Sequence, residues 1–195
     1  MAADKRPRPA GTLRIIGGRW RSRRLGFPER DGLRPTPDRV RETLFNWLAA
    51  YLPGARCLDA FAGSGALGLE ALSRGAAEVV FVESDPGAVA ALRANLAVLE
   101  AQHAGLVEAD VLDWLRGPAR PFDIVFLDPP YRSGLLAPAC ALLAERGWVA
   151  PGGLVYLETP EGVAPPLPPG WTLTRSKTAG QVGYHLARVT ASGQV

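Results

Sequence analysis

Short apolar runs alternate with longer stretches of helical periodicity between residues 56 and 157, and this alternation limits the fold more than any other feature of the chain. It is typical of β-α-β units, and strands that are apolar throughout indicate a sheet that is covered on both faces. The pattern predicts an α/β fold with a mostly parallel sheet and helices on either side. The predicted strands are 57–58, 79–82, 105–108, 122–127 and 154–157, and the predicted helices are 65–74, 86–100, 111–116 and 134–146. Asp85 is the predicted N-cap of the helix 86–100.

The rest of the chain adds a hairpin at each end of this region. Residues 171–178 and 182–189 predict two final strands that pair at the edge of the sheet. Residues 13–32 predict a basic β-hairpin extension, and a disordered basic tail is predicted over 1–12, which is rich in Pro, Ala and charge. The remainder, 33–195, is predicted to be a single domain, as the chain length suggests.

Positive charge is concentrated near the beginning of the chain. The first 41 residues hold 12 Lys and Arg against 4 Asp and Glu, whereas the other residues hold 10 against 15. A basic arm on an acidic body suggests a polyanionic partner for the arm, although a solvated tail would carry the same charge. In the predicted hairpin, Gly17 and Gly18 form a two-residue turn. The second strand then places three arginines on one face, namely Arg19, Arg21 and Arg23.

This predicted ribbon could lie along a nucleic-acid backbone, or Trp20 could simply pack it onto the body of the protein. Thr36 is the predicted N-cap, and Pro37 the first residue, of a helix that runs to about Tyr51. The apolar stripe of that helix leaves Arg39 to one side. The candidate nucleic-acid contacts are Arg19, Arg21, Arg23, Arg24, Arg39 and Arg41.

A glycine-rich turn follows the first strand of the alternating region. Gly63, Gly65 and Gly68 match the G-x-G-x-x-G spacing, and Glu83 ends the next predicted strand, 20 residues after Gly63. Glycines at these positions let a ligand approach the backbone, and an acidic residue at the end of the next strand binds ribose hydroxyls. The same glycines would also suit a tight strand-to-helix turn that binds nothing.

Asp59 indicates which ligand such a turn would take. It stands at the carboxyl end of the first strand, where a pyrophosphate would meet its carboxylate at close range, and that repulsion is costly in a low-dielectric cleft. S-adenosylmethionine has an adenosine ribose but no phosphate, and it carries a sulfonium and an ammonium. Asp59 therefore favours this cofactor over a nicotinamide dinucleotide. Asp110 suits either the adenine amine or the N-cap of the helix that follows it.

The fourth strand ends in the tetrad Asp128-Pro129-Pro130-Tyr131. The Asp128 carboxylate and the Pro129 carbonyl can both accept hydrogen bonds from the exocyclic amine of a nucleobase, which orients its nitrogen for attack on a methyl group. Tyr131 could stack on a base that has been taken out of its helix. The tetrad therefore indicates amino-methyl transfer, with an ordinary turn as the alternative.

These motifs together resemble those of the RsmD family of bacterial methyltransferases, which act on guanine N2 in 16S rRNA. The resemblance also rests on residues 13–21, 33–48 and 179–184, and it extends from about residue 12 to residue 189. It implies a Rossmann-like class I methyltransferase fold with a seven-stranded sheet whose last strand is antiparallel. It also implies that the N-terminal ribbon contacts rRNA.

The resemblance assigns roles to individual residues as well. It implies that the helix after Thr36 closes over S-adenosylmethionine, with Thr36 near the methionine end. Asp59 and the glycines would hold the methionine part, Glu83 the ribose, and Asp110 the adenine. The implied cofactor-binding set is Thr36, Asp59, Phe61, Gly63, Ser64, Gly65, Gly68, Glu83, Asp110 and Asp128. The implied catalytic set is Asp128, Pro129, Pro130 and Tyr131.

Three alternatives stay open on the sequence. The same chemistry could act on adenine N6 in DNA or RNA, or on a protein glutamine amide, although 195 residues leave no room for the target-recognition domain of DNA enzymes of this type. An NAD(P)-dependent oxidoreductase is disfavoured by Asp59 and by the tetrad. A non-catalytic RNA-binding module is disfavoured because the tetrad is intact.

The remaining expectations concern location and assembly. No apolar run approaches the roughly 20 residues that span a bilayer, so we expect a cytoplasmic protein without a membrane partner. The two cysteines are far apart and give no support to a zinc site or a disulfide scaffold, and we expect no metal. The expected partner is 16S rRNA in the 30S subunit or in its assembly intermediate, and we expect the protein to be a monomer.

Overall fold

The computed structural model describes residues 11–28, 36–130 and 133–190, and these ranges contain nine strands and five helices. The strands are β1 (Gly11–Arg14), β2 (Arg24–Phe27), β3 (Arg56–Asp59), β4 (Glu78–Glu83), β5 (Ala104–Glu108), β6 (Phe122–Leu127), β7 (Val149–Pro160), β8 (Trp171–Ala179) and β9 (Val182–Val189). The helices are α1 (Asp38–Leu48), α2 (Ala66–Ser73), α3 (Pro86–Val98), α4 (Val111–Leu115) and α5 (Leu136–Glu145).

Seven strands form one sheet in the order β5-β4-β3-β6-β7-β9-β8. The first five are parallel, whereas β9 is antiparallel to both of its neighbours. The α/β prediction is confirmed, and so is the final hairpin at the sheet edge. The chain order reverses between β3 and β6, and in open sheets of this kind ligands bind in the crevice at the carboxyl ends of the strands flanking that point.

The sheet is covered on both faces, as its apolar strands predict. Neighbouring residues of β3 point to opposite sides: Cys57 belongs to the core that α1, α2 and α3 cover, and Leu58 to the core that α4 and α5 cover. Each fully buried side chain of leucine size stabilises the fold by roughly 1.5–3 kcal/mol. Two packed layers therefore fix the strand ends on which a site at this edge depends.

The N-terminal hairpin differs from its prediction. Strands β1 and β2 pair from Gly11 opposite Phe27 to Arg14 opposite Arg24, so nine residues, 15–23, connect them instead of a two-residue turn. A Cβ added to Gly18 would lie 1.8 Å from the carbonyl oxygen of Ser73, at the end of α2. The glycines therefore allow the connection to lie closely against α2, which the spacing alone did not reveal.

The connection 15–23, called the arginine loop below, is held to α2 by several hydrogen bonds. The Ser73 carbonyl accepts from the Arg19 amide at 2.8 Å, and the Ser73 hydroxyl accepts from the Trp20 amide at 3.0 Å. The buried Glu70 carboxylate accepts the amides of Ile16 and Gly17 at 2.8 and 2.7 Å. Trp20 is buried, so this aromatic packs the loop onto the body, which was one of its two predicted roles.

Helix α1 begins one residue later than predicted and ends at Leu48, short of Tyr51. Pro37 occupies the N-cap position and no side chain caps the helix, so the prediction of Thr36 as the N-cap is wrong. The physical reason is that the Thr36 hydroxyl lies against two carboxylates instead, as described below. Asp85 does cap α3, as predicted: its carboxylate accepts from the Ala88 amide at 2.7 Å.

Within the described ranges, none of the helices combines the length and the apolar character that crossing a bilayer requires. In the same ranges, no group of three or more His, Cys, Asp and Glu side chains could hold a metal ion.

Candidate active site

Four acidic residues stand at the carboxyl edge of the sheet, on four neighbouring parallel strands. Asp59 ends β3 and Glu83 ends β4. Asp128 directly follows β6, and Glu158 lies level with it on β7, because Leu127 and Leu157 are register partners. The edge therefore carries a concentration of negative charge at the point where the chain order reverses.

The glycine-rich turn connects β3 to α2. Gly63 and Gly65 adopt positive φ angles of 51° and 78°, a region that favours glycine. A Cβ on Gly68 would lie 2.2 Å from the Phe81 ring, so this glycine also lets α2 approach β4 closely. The turn thus has a packing reason for its glycines, in addition to the open backbone that a ligand would need.

Glu83 holds this turn from the neighbouring strand. One carboxylate oxygen accepts from the Gly63 amide at 2.7 Å, and the other accepts from the Asp85 amide at 2.8 Å. The side chain is half-buried and remains at the crevice. Glu83 thus stands beside the glycines, at the end of β4.

Asp59 lies beneath the same turn and is almost fully buried. Its pKa is raised to about 7, mainly by burial; the hydrogen bond from the Gly68 amide, at 2.9 Å, opposes the rise, and the negative charge of Glu83 adds to it. Asp59 therefore fixes the first turn of α2 from below.

Asp110 caps the short helix α4. Its carboxylate accepts from the Asp113 amide at 3.0 Å, and the side chain is exposed. This was one of its two predicted roles. Phe61 is half-buried and packs against the core beneath α4 and α5, and Ser64 is buried within the turn.

Asp128 and Glu158 form an acid pair that Thr36 joins. The Thr36 hydroxyl oxygen lies 3.3 Å from Asp128 Oδ2 and 3.3 Å from Glu158 Oε1. The Tyr156 hydroxyl donates to the same Glu158 oxygen at 2.7 Å. These four side chains bring the segment before α1 onto the ends of β6 and β7.

The acid pair is electrostatically unfavourable while it is fully ionised. Burial raises the pKa of Asp128 well above its usual range, the Glu158 charge raises it further, and the Thr36 hydrogen bond opposes this. Burial also raises the pKa of Glu158, against the opposing hydrogen bonds from Tyr156 and Thr36. A proton is therefore retained on the pair to higher pH than on ordinary carboxyl groups.

The backbone of Thr36 is positioned by Arg41. The Arg41 Nε donates to the Thr36 carbonyl at 3.1 Å, and the guanidinium also contacts Asp38 and the fully buried Glu70. Arg41 has only 1 % of its surface exposed. Its prediction as an RNA contact is wrong, because the guanidinium is used inside the protein.

The other candidate arginines are at the surface. Arg19, Arg21 and Arg23 are exposed on the arginine loop, not on one face of a strand as predicted. Arg19 lies over the Trp20 ring, 4.1 Å from its centre. Arg24 on β2 and Arg39 on α1 are exposed as well.

Besides Asp128, two further residues of the predicted tetrad can be placed. Pro129 is half-buried and Pro130 is exposed, directly after β6. Tyr131 lies outside the described residues, and so does the predicted tail at 1–12 up to residue 10.

Glu158 and Glu70 are the residues that reasoning from the sequence missed. Glu158 could have been found from its position, since Asp59, Glu83 and Asp128 are likewise acidic residues at the ends of apolar strands. Glu70 gave no signal, because glutamate is among the residue types that are almost never fully buried unless they are paired.

The donor set at this edge fits S-adenosylmethionine. Carboxylates suit its sulfonium, its ammonium and its ribose hydroxyls, whereas a pyrophosphate would be repelled by Asp59 and by Glu83. The residues that would hold it are Glu83 and the glycine-rich turn, which Asp59 supports.

The order of the seven strands, together with the glycine-rich turn and the acidic carboxyl edge, defines the fold of the class I methyltransferases. The family model described as conserved hypothetical protein 95 matches residues 13–188. The chain belongs to this family, the RsmD family that its motifs resemble.

Individual relatives agree with this assignment. The ribosomal RNA small subunit methyltransferase D of Escherichia coli K12 is 50 % identical over 186 residues, which cover 95 % of this chain and 94 % of the relative. The solved structure of yhhF from Escherichia coli is 48 % identical, covers 93 % of this chain and 100 % of its own, and has a TM-score of 0.88.

A more distant structure shares the fold. The Thermus thermophilus 16S rRNA N2 G1207 methyltransferase, solved with AdoMet and guanosine, is 24 % identical with a TM-score of 0.66. The match covers 91 % of this chain and 49 % of that one.

Proposed function

We propose that this protein transfers a methyl group from S-adenosylmethionine to the exocyclic N2 amine of a guanine in 16S rRNA of the small ribosomal subunit. The observation that carries the proposal is the position of Asp128 and Pro129 at the carboxyl end of β6, beside the glycine-rich turn that β3 leads into. The relative from Escherichia coli, named as a small-subunit rRNA methyltransferase, supports the RNA class.

The cofactor would lie across the carboxyl ends of β3 and β4. Glu83 would accept hydrogen bonds from the ribose hydroxyls, and the backbone of Gly63 and Gly65 would lie along the methionine part. Asp59, Phe61, Ser64 and Gly68 would shape the turn, and Thr36 would close it from above. The exposed carboxylate of Asp110 would accept a hydrogen bond from the adenine amine.

At the acid pair, this chain's residues would hold the target amine. Asp128 and the Pro129 carbonyl would accept one N–H each, which directs the nitrogen lone pair away from the ring and toward the methyl donor. When bound, S-adenosylmethionine supplies an electrophilic methyl group: a C–N bond forms, the C–S bond breaks, and sulfur keeps the electron pair. Asp128 is placed to accept the proton that the nitrogen loses.

RNA would lie along the surface that carries the arginine loop. The exposed guanidinium groups of Arg19, Arg21 and Arg23 suit phosphate oxygens, and Arg24 and Arg39 extend the same charge. Tyr131 would stack on the target base, and Pro130 would limit the movement of the tetrad. Because an arginine surface reads RNA shape more than base edges, we propose that the assembled particle supplies much of the specificity and that one monomer acts on it.

The test is a radiolabelled methyl-transfer assay that offers unmethylated 30S particles, free 16S rRNA, duplex DNA and a release-factor protein side by side. The expected product is N2-methylguanosine after digestion of the rRNA. Asp128→Ala serves as the control for contaminating activity. Label found only in DNA or in protein would contradict the proposed substrate. Failure to bind S-adenosylmethionine would contradict the assignment as a methyltransferase.

A further inference from the structure

The acid pair contains more hydrogen-bond acceptors than its protein neighbours can use. Asp128 Oδ2 and Glu158 Oε1 each lie 3.3 Å from one Thr36 hydroxyl, which has a single proton to donate. These two carboxylate oxygens are therefore at most twice that distance apart. They lie close enough to face one planar ligand.

The outer oxygens of the pair are not used. Within the described ranges, no protein group donates to Asp128 Oδ1 or to Glu158 Oε2, and neither side chain pairs with Lys or Arg. The Tyr156 hydroxyl, at 2.7 Å from Oε1, fixes the Glu158 side chain and leaves Oε2 directed elsewhere. Both side chains are only partly buried, and no buried side-chain oxygen among the described residues lacks a partner. The unused oxygens are therefore open to the crevice, where a ligand that brings donors can reach both of them.

Guanine brings the matching donors. Its Watson–Crick edge carries the N1–H directly beside the two N–H groups of the N2 amine. Asp128 and the Pro129 carbonyl account for the two N–H groups of the amine, and the N1–H is then left facing the neighbouring strand end, where Glu158 stands. Adenine presents an unprotonated N1 beside its amine, and that lone pair would face a carboxylate.

We propose that Glu158 reads the target base by accepting the guanine N1–H, while Asp128 and Pro129 hold the N2 amine. This inference rests on the proposed function. It assigns to Glu158, through direct contact with the base, the selection of guanine over purines that lack the N1 proton. Tyr156 and Thr36 are positioning residues for the carboxylate.

The test replaces the target guanine with 2-aminopurine, which keeps the 2-amino group but has no proton on N1. Fragments of the small-subunit RNA are ligated to a synthetic oligonucleotide that carries the replaced base at the mapped position. The ligated RNA is assembled with its proteins and then methylated under single-turnover conditions. The wild-type protein is expected to prefer guanine by about 10- to 100-fold, the range of one well-placed base contact. In Glu158→Gln the preference should fall to within about threefold, because an amide can donate to N1 as readily as it accepts.

Glu161→Gln is the matched control. Glu161 is an exposed glutamate just beyond the end of β7, and its substitution should keep the full preference for guanine. A wild-type preference near one would overturn the inference even if Glu158→Gln failed to fold. So would an unchanged preference in a folded Glu158→Gln protein.

The affinity for S-adenosylmethionine, measured by calorimetry on the same proteins, distinguishes base recognition by Glu158 from cofactor binding by Glu158. If Glu158 instead binds the ammonium of the cofactor, Glu158→Gln will lose affinity for S-adenosylmethionine and keep its base preference, and the inference is wrong. Failure of the proposed function looks different, because the wild-type protein would then methylate neither guanine nor 2-aminopurine at N2.

Discussion

The two halves of the acidic edge are built differently. On β3 and β4, the carboxylates of Asp59 and Glu83 accept backbone amides of the glycine-rich turn and of the residues around it. On β6 and β7, Asp128 and Glu158 have only the hydroxyl groups of Thr36 and Tyr156 as donors among the described residues. In the first half, backbone amides hold the carboxylates in place, whereas in the second half two hydroxyl groups are the donors and the outer carboxylate oxygens stay open to a ligand.

This difference indicates that the first half positions a loop and that the second half takes part in the reaction. Carboxylates matched by amides hold a loop in one conformation before any ligand arrives. Carboxylates with unmatched oxygens gain most when a donor-rich ligand is present, which is the property required at a reacting amine. Changes in the first half should therefore affect binding and stability, and changes in the second half should affect turnover.

The largest effect is expected at Asp128. Asp128→Ala removes an acceptor that orients the target amine, and it should lower single-turnover methylation by at least about 100-fold. Binding of S-adenosylmethionine, followed by calorimetry, should persist because the glycine-rich turn is intact. Near-normal turnover would remove Asp128 from the reaction.

A smaller and different effect is expected at Glu83. Glu83→Ala removes the acceptors of the Gly63 and Asp85 amides, and S-adenosylmethionine affinity should weaken by about 1–3 kcal/mol. Calorimetric titration measures this directly, with the exposed Glu108 at the end of β5 as a matched control, Glu108→Ala. Unchanged affinity in Glu83→Ala would mean that the β4 end is not part of the cofactor site.

The arginine loop should affect RNA binding without affecting the cofactor. Combined substitution of Arg19, Arg21 and Arg23 by Ala should weaken binding to 30S particles and flatten its salt dependence, by up to about 0.9 in logarithmic slope for each phosphate that the loop no longer neutralises. Arg175→Ala, on the exposed edge strand β8, is the control. An unaltered slope would show that the loop does not bind phosphate.

The smallest effect is expected on the pH dependence of stability. Because the pKa of Asp59 is raised to about 7 from a usual value near 3.8, the folded protein binds this proton more tightly than the unfolded chain. The free energy of unfolding should therefore fall as pH rises from about 4 to about 7. Asp59→Asn removes this titration while its amide oxygen can still accept from Gly68.

Thermal unfolding without ligand at several pH values measures the difference. The melting temperature of Asp59→Asn, relative to the wild type, should rise by a few degrees across that interval. Asp128 and Glu158 titrate in the same direction in both proteins, and the Asp59 charge is the smallest of the causes that raise the pKa of Asp128, so most of their contribution cancels in the comparison. A constant difference between the two proteins would contradict the raised pKa, and the exposed Glu145→Gln provides the reference behaviour.

Much of the fold was predictable because strand apolarity and helix periodicity depend on local sequence. The strands at 122–127 and 182–189 have the bounds predicted, and Asp85 caps its helix as expected. The glycine-rich turn and the strand-end position of Asp128 followed from the same alternation. These features could be predicted because the carboxyl ends of parallel strands all lie at the same edge of a sheet.

The errors arise where distant segments meet. Thr36 has the sequence signature of an N-cap, but its hydroxyl lies against residues 92 and 122 positions further along the chain. Arg41 has the appearance of a surface charge, but Glu70 draws it inside. Gly17 and Gly18 suit a tight turn, but they are used for packing against α2. Local sequence patterns do not indicate contacts between segments that are far apart in the chain.

The close approach of the arginine loop to α2 at Gly18 also sets the distance between this loop and the glycine-rich turn. Helix α2 has the glycine-rich turn at its first residue and the arginine loop against its last, and eight residues of helix measure about 12 Å. The short helix thus acts as a rigid spacer between the RNA backbone and the cofactor in the proposed complex. In that complex, an RNA would fit only where a bound phosphate and the target base are separated by a similar span, so this spacing would exclude other nucleotides before the base is bound.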